Sequence, residues 1–195
     1  MGQFISKSSG SRATRKMTRQ LSRFATAGAI GLFVSLWSQT APAATITVTT
    51  SADEIIPNDG SVSLREAITA INAGNNLGDP DITAQNPGTF GTNDTINFNI
   101  PGAGVKTINV GTDASASGIA LPTMTKPRTI DGYSQVGASV NTLANADNAV
   151  ILIELNGSAA GSGANALTLG AGSGGSTIRG LAINLFAGNG HRRPE

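Results

Sequence analysis

A short phrase keeps returning along this chain. It reads Thr95-Ile96-Asn97-Phe98, then Thr107-Ile108-Asn109-Val110, then Thr129-Ile130-Asp131-Gly132; a variant follows at Leu152-Ile153-Glu154-Leu155, and then Thr177-Ile178-Arg179-Gly180. From Ile108 the isoleucines recur after 22, 23 and 25 residues. Each phrase alternates apolar and polar positions and favours β-branched residues, the pattern of a strand with one buried side. The stretches between phrases are rich in Gly, Asn and Ser, which tolerate the left-handed backbone of sharp corners. Self-similarity at a nearly fixed interval implies stacked repeats. Units made of strands and turns select a β-solenoid over a helical array. In such a fold Ile108, Ile130, Ile153 and Ile178 point inward and pile into one dry column, while Thr and the residue after each Ile face outward. An antiparallel sandwich of short strands is the alternative.

One helix is expected ahead of the repeats. Ser63 stands three residues before Glu66, the spacing of a capping box. Leu64, Ala67, Ile68 and Ile71 fall on one apolar stripe, and Gly74 is a natural stop. About ten residues are not stable alone as a helix, so the stripe must cover something. The open end of a solenoid, with bare core and unpaired backbone, is the surface that needs such a cover. Before the helix, Ile46-Thr47-Val48-Thr49 alternates as a strand does.

The residues Val62-Ser63-Leu64-Arg65-Glu66-Ala67-Ile68 resemble the Cys-Ser-Leu-Arg-Glu-Ala motif of a family of secreted bacterial proteins. Leu121-Pro122-Thr123, Arg128 to Gln135 and Thr177 to Asn184 extend the similarity across roughly residues 45–190. Val62 replaces the motif's Cys, which removes a thiol and leaves the helix start intact. The resemblance implies an all-β fold, a right-handed parallel β-helix with a short N-terminal capping helix. It also implies secreted or cell-surface placement and an adhesin-like role, usually within longer chains.

Residues 1–43 carry six of the thirteen basic side chains and none of the twelve acidic ones. An uncharged stretch from Phe24 to Trp37 follows the basic region, and Ala41-Pro42-Ala43 precedes Ala44. Basic, apolar and small-residue segments in that order define a secretory signal peptide cleaved between Ala43 and Ala44. The stretch is too short to span a bilayer, which takes about 20 residues as a helix. Met17 would start a leader of more usual length than Met1. The expected organisation is thus a signal peptide over 1–43, cap and coils over 44–190, and a tail over 191–195. That tail, His191-Arg192-Arg193-Pro194-Glu195, departs from the repeat and suggests a truncation or frameshift there.

Without residues 1–43, seven basic side chains face twelve acidic ones. A mildly acidic chain without a basic stripe is a poor partner for nucleic acid. Its aromatic rings are Phe90, Phe98, Tyr133 and Phe186, too few for rows of stacked bases or sugars. No cysteine is present, which excludes thiol catalysis and Cys-based zinc sites; the single histidine, His191, stands fifth from the end, where Ser-His-Asp catalysis and multi-His metal sites have nothing to build on. No membrane span is expected in the mature chain. It should be a monomer unless the open end of the solenoid self-associates.

Candidate chemistry rests on the outward positions. If the isoleucines stack, Asn109, Asp131, Glu154 and Arg179 form one ladder at about 4.8 Å steps. Asp131 and Glu154 would then approach the separation of about 5 Å used by retaining glycosidases, or form half of a calcium site. A solvated polar row, with Arg179 offsetting Glu154, accounts for the same residues more simply. Gly170, Gly172 and Gly175 fit G-x-G-x-x-G, but a strand-like Ser176-Thr177-Ile178-Arg179 follows where a dinucleotide site needs a helix. Asp79 and Asp81 read as turn residues rather than calcium ligands. No cofactor is expected. The expected function is a non-enzymatic extracellular scaffold or adhesion module that contacts glycan or protein. The rival is the N-terminal part of a polysaccharide lyase or glycoside hydrolase.

Overall fold

The computed structural model describes residues 42–192 apart from 92 and 114. The signal peptide expected over 1–43 therefore lies outside the described residues except at Pro42 and Ala43, as do the last three residues of the expected tail.

The alternating phrases form short strands. These are β1 (Thr45–Val48), β2 (Asp94–Phe98), β3 (Lys106–Asn109), β4 (Arg128–Asp131), β5 (Ile153–Asn156), β6 (Leu167–Thr168), β7 (Thr177–Arg179), β8 (Leu181–Asn184) and β9 (His191–Arg192). Helix α1 (Leu64–Ala73) begins at Ser63, whose Oγ accepts the Glu66 N–H at 3.1 Å while Glu66 Oε2 accepts the Ser63 N–H at 2.8 Å. It ends at Gly74, left-handed at φ +74°. A second helix, α2 (Pro80–Ala84), starts on proline behind an Asp79 cap. Its five residues are too few to show a helical period in sequence. No helix among the described residues is long and apolar enough to cross a membrane.

The strands assemble into three sheets ordered β1-β2-β4-β7, β3-β5-β8 and β6-β9, and every strand pair is parallel. This overturns the expected fold class. The chain is not an all-β right-handed parallel β-helix with one inward column; it is a set of separate parallel sheets of short strands, with two helices. The even spacing of the phrase misled because successive phrases enter different sheets. Ile130 is in register with Ile96 and Ile178, whereas Ile108 pairs with Leu155 and Ile153 with Lys106 and Leu181. In-register partners lie two phrases apart, so a one-phrase period joins residues that never share a ladder.

Two apolar rows result. Ile46, Ile96, Ile130 and Ile178 cross the four-stranded sheet, and Ile108, Leu155 and Ile183 cross the three-stranded one. Helix α1 adds Leu64, Ala67, Ile68 and Ile71 to the same core cluster, beside Val48 and Phe98. Each fully buried aliphatic side chain contributes about 1.5–3 kcal/mol, so these rows supply the main driving force. Burial fades along the chain: Ile46, Ile96 and Ile130 are fully buried, while Ile178, Leu181 and Ile183 are half-buried.

Candidate functional site

The segment from Val62 to Ile68 uses nearly every side chain to hold the N-terminal half together. Val62, Leu64, Ala67 and Ile68 enter the core. Ser63 Oγ also donates to the Glu54 carbonyl at 2.8 Å, and Glu66 Oε1 accepts the Ile56 N–H at 2.8 Å. Burial is the main cause that pushes the Glu66 carboxyl above its ordinary 4.5, against the N–H donors from Ser63 and Ile56. Arg65 turns inward to Asp53 and to the Ile119 and Ala120 carbonyls. The side chains from Val62 to Ile68 are all buried, and their bonds brace the fold.

A second buried cation sits at the other end of α1. Arg128 donates to the Ile68 carbonyl at 3.1 Å and to Asn72 Oδ1 at 2.5 Å, near the helix C-terminus where positive charge is favoured. Desolvation pulls its guanidinium down to about 10, and the Asp94 charge opposes that drop. It therefore stays protonated at neutral pH and acts as a structural cation.

The outward positions carry the expected site residues, in an arrangement the even spacing does not foretell. Asp131 lies on β4, in register with Asn97 and Arg179. Glu154 lies on β5 in the other sheet, in register with Thr107 and Ala182. The ladder joining Asn109, Asp131, Glu154 and Arg179 is thus split, and the two carboxylates do not share a sheet. Arg179 Nη2 donates to Asp131 at 2.6 Å, which holds the guanidinium above its ordinary range, and Asp131 Oδ1 accepts the Tyr133 N–H. Glu154 accepts from Thr107 Oγ1 at 2.5 Å and from Asn184 Nδ2 at 2.6 Å. Those two donors hold its carboxyl below the ordinary 4.5. A general acid needs the opposite shift.

Apart from the Asp131–Arg179 pair, what the register brings together on the outward faces is mostly neutral. Thr45, Thr95, Thr129 and Thr177 align across the four-stranded sheet, and Asn109, Asn156 and Asn184 across the three-stranded one. The threonines are exposed or half-buried. Beside β1 lies an open groove of about 630 Å³ whose lining includes Thr45, Thr47, Thr49, Gln85, Asn86 and Asn99. Hydroxyls and amides, not charges, dominate these surfaces.

The remaining candidates are occupied by backbone. Asp79 accepts the Asn58 and Asp81 N–H groups, and Asp81 accepts the Gly60 N–H at 2.9 Å. Among the described residues no group of three or more acidic or histidine side chains converges on one point. Gly170, Gly172 and Gly175 form the turn that leads into β7, with Gly172 at φ +90°. Ala43 is exposed and Ala44 fully buried. Sequence reasoning missed Asp53, Gln85 and Gln135. Each makes its key bonds to residues at least twelve positions away, beyond any local signal. Comparison of the chain with protein-family models, curated proteins and solved structures gives no match.

Proposed function

We propose that the chain is an exported, non-enzymatic scaffold that meets an extracellular glycan or protein surface through its outward rows of hydroxyl and amide side chains. The observation that carries this reading is the aligned row Thr45, Thr95, Thr129 and Thr177. Adjacent strands lie about 4.8 Å apart, so the row offers evenly spaced donors and acceptors on a rigid support. The leader-like residues 1–43 and the resemblance of Val62 to Ile68 to a secreted family favour placement outside the cell. The tied carboxylates weigh against the hydrolase or lyase alternative. Asp131 is engaged by a cation, and Glu154 is held ionised by two donors.

The test uses the purified exported chain and polysaccharides immobilised on a surface. The chain should be retained, and Thr95→Val with Thr129→Val should weaken retention while preserving shape and melting temperature. Incubation with acidic polysaccharides, with and without calcium, should release no product. Calcium-dependent cleavage that disappears in Asp131→Ala or Glu154→Ala would overturn the reading in favour of an enzyme.

A further inference from the structure

At the head of β1 the backbone passes abruptly from exposed to buried. Pro42 and Ala43 are exposed, and Ala44 is fully buried. The Ala44 carbonyl accepts the Thr95 N–H at 2.8 Å. Its own N–H donates to Asp94 Oδ1 at 2.9 Å, and Asp94 is fully buried as well. The Gly91 N–H reaches the same carboxylate more loosely, at 3.3 and 3.2 Å, and Arg128 feels its charge. A buried carboxylate is costly unless a cation or several strong donors compensate it. As an amide, Ala44 supplies one neutral donor. Yet this nitrogen is the one that leader removal would free, because Ala41-Pro42-Ala43 sets the scissile bond between Ala43 and Ala44.

We propose that hydrolysis of the Ala43–Ala44 bond turns the Ala44 nitrogen into an α-ammonium that forms a buried ion pair with Asp94. The inference rests on the export reading above. In the step, a leader peptidase directs water onto the Ala43 carbonyl carbon. The C–N bond breaks, Ala43 leaves as a carboxylate, and the freed nitrogen takes a proton. Because Ala44 is enclosed in the fold, the bond is cut before the sheet closes over it. The ammonium then meets a carboxylate already within hydrogen-bond distance, and charge-assisted bonds are roughly twice as strong as neutral ones. What is given up is the bond from the Thr89 N–H to the Pro42 carbonyl, at 3.3 Å. Processing thereby completes the anchor of an edge strand; a chain that keeps its leader folds with a weaker one.

The full chain is expressed in a bacterium, recovered from outside the cytoplasm, and its N-terminus read by mass spectrometry. The α-amine is then labelled with an acid anhydride in native and denaturing buffer, with peptide mapping to separate it from Lys106 and Lys126. The expected result is an N-terminus at Ala44 that labels about 100-fold more slowly in the native protein, where only opening transitions expose it. Asp94→Asn, or Asp94→Glu if the first variant does not fold, should raise native labelling. A terminus elsewhere, equal rates in both buffers, or a folded Asp94 variant that labels as slowly as the wild type would overturn the ion pair and leave export standing. A chain that stays intact in the cytoplasm would overturn export instead. Trimmed in vitro to begin at Ala44, that chain keeps the ion pair if its native labelling is slow and sensitive to Asp94, and loses it otherwise.

Discussion

Arg65 grips Asp53 with two prongs, Nε to Oδ1 at 2.8 Å and Nη2 to Oδ2 at 2.6 Å, and the two side chains are 3% and 0% exposed. Asp53 Oδ2 also accepts the Gly111 N–H at 2.7 Å, and Arg65 reaches the Ile119 and Ala120 carbonyls, both at 2.8 Å. The pair thus ties α1 to the segments on either side of it. Removing one partner of a buried pair strands the other charge, at a cost of about 3–5 kcal/mol. Arg65→Met and Asp53→Asn should each lower the unfolding free energy by that amount in denaturant titration. The double variant should lose less than the sum, because no lone charge remains. Simple additivity would show that the two do not act as a pair.

Gln135 and Gln85 use their amides as short stand-ins for a strand. Gln135 Oε1 accepts the Ile100 N–H and its Nε2 donates to the Ile100 carbonyl, both at 2.9 Å. Gln85 does the same for Thr47, at 2.8 and 2.9 Å, along the free edge of β1. Such pairing blunts an edge that would otherwise recruit another chain. Gln135 is 2% exposed, whereas Gln85 is half-buried. Each buried backbone group left unpaired costs about 1–3 kcal/mol. Gln135→Ala should therefore destabilise clearly more than Gln85→Ala, whose freed groups water can reach. Gln85→Ala should show instead in light scattering, as added self-association.

The local features of this fold were legible and the long-range ones were not. Ser63, Glu66 and Gly74 mark both ends of α1 because capping acts within four residues. The Thr-Ile phrases mark strands, because alternation is local as well. Sheet membership is different. Whether Ile130 meets Ile153 or Ile178 is decided by the path of the intervening loops, which carries no periodic signal. For the same reason the ladder of Asp131 and Glu154 fell apart, while the threonine row, in which Thr45 of β1 joins the phrase-opening Thr95, Thr129 and Thr177, follows from the register alone.

The pH profile should carry the mark of Glu66. Burial raises its carboxyl above 4.5 in the folded chain. Between 4.5 and that raised value the unfolded chain has lost the proton while the folded chain keeps it. The unfolded state then binds fewer protons, so this group's contribution to stability falls as pH rises through the window. Glu154, held below 4.5, has the reverse sign: its contribution falls as pH drops below 4.5. Glu66→Gln should flatten the first slope and Glu154→Gln the second, in melting temperatures taken from pH 3 to 7. Glu66→Gln also lowers the whole curve by about 1–3 kcal/mol, since an amide nitrogen cannot accept and one of the Ser63 and Ile56 N–H groups is left unpaired.

Gly132 and Gly180 face each other where β4 and β7 end, and neither position has room for a side chain. A Cβ on Gly132 would run into the Gly180 carbonyl; one on Gly180 would lie 2.6 Å from the Tyr133 nitrogen and 2.9 Å from the Gly132 carbonyl carbon. Gly180 also holds φ +69°, which costs an L-residue about 1–2 kcal/mol on its own. Gly175 separates the two effects: at φ +87° it bears the same backbone penalty, with nothing within 4 Å of its Cβ position. Gly175→Ala should therefore cost only that penalty. Gly180→Ala should cost about 1–3 kcal/mol more, the usual toll of overpacking against immovable backbone. Gly132→Ala, which pays the steric term without the backbone one, should be harmful too. Equal losses for Gly175→Ala and Gly180→Ala in thermal unfolding would show that the two strand ends stand apart with room to spare.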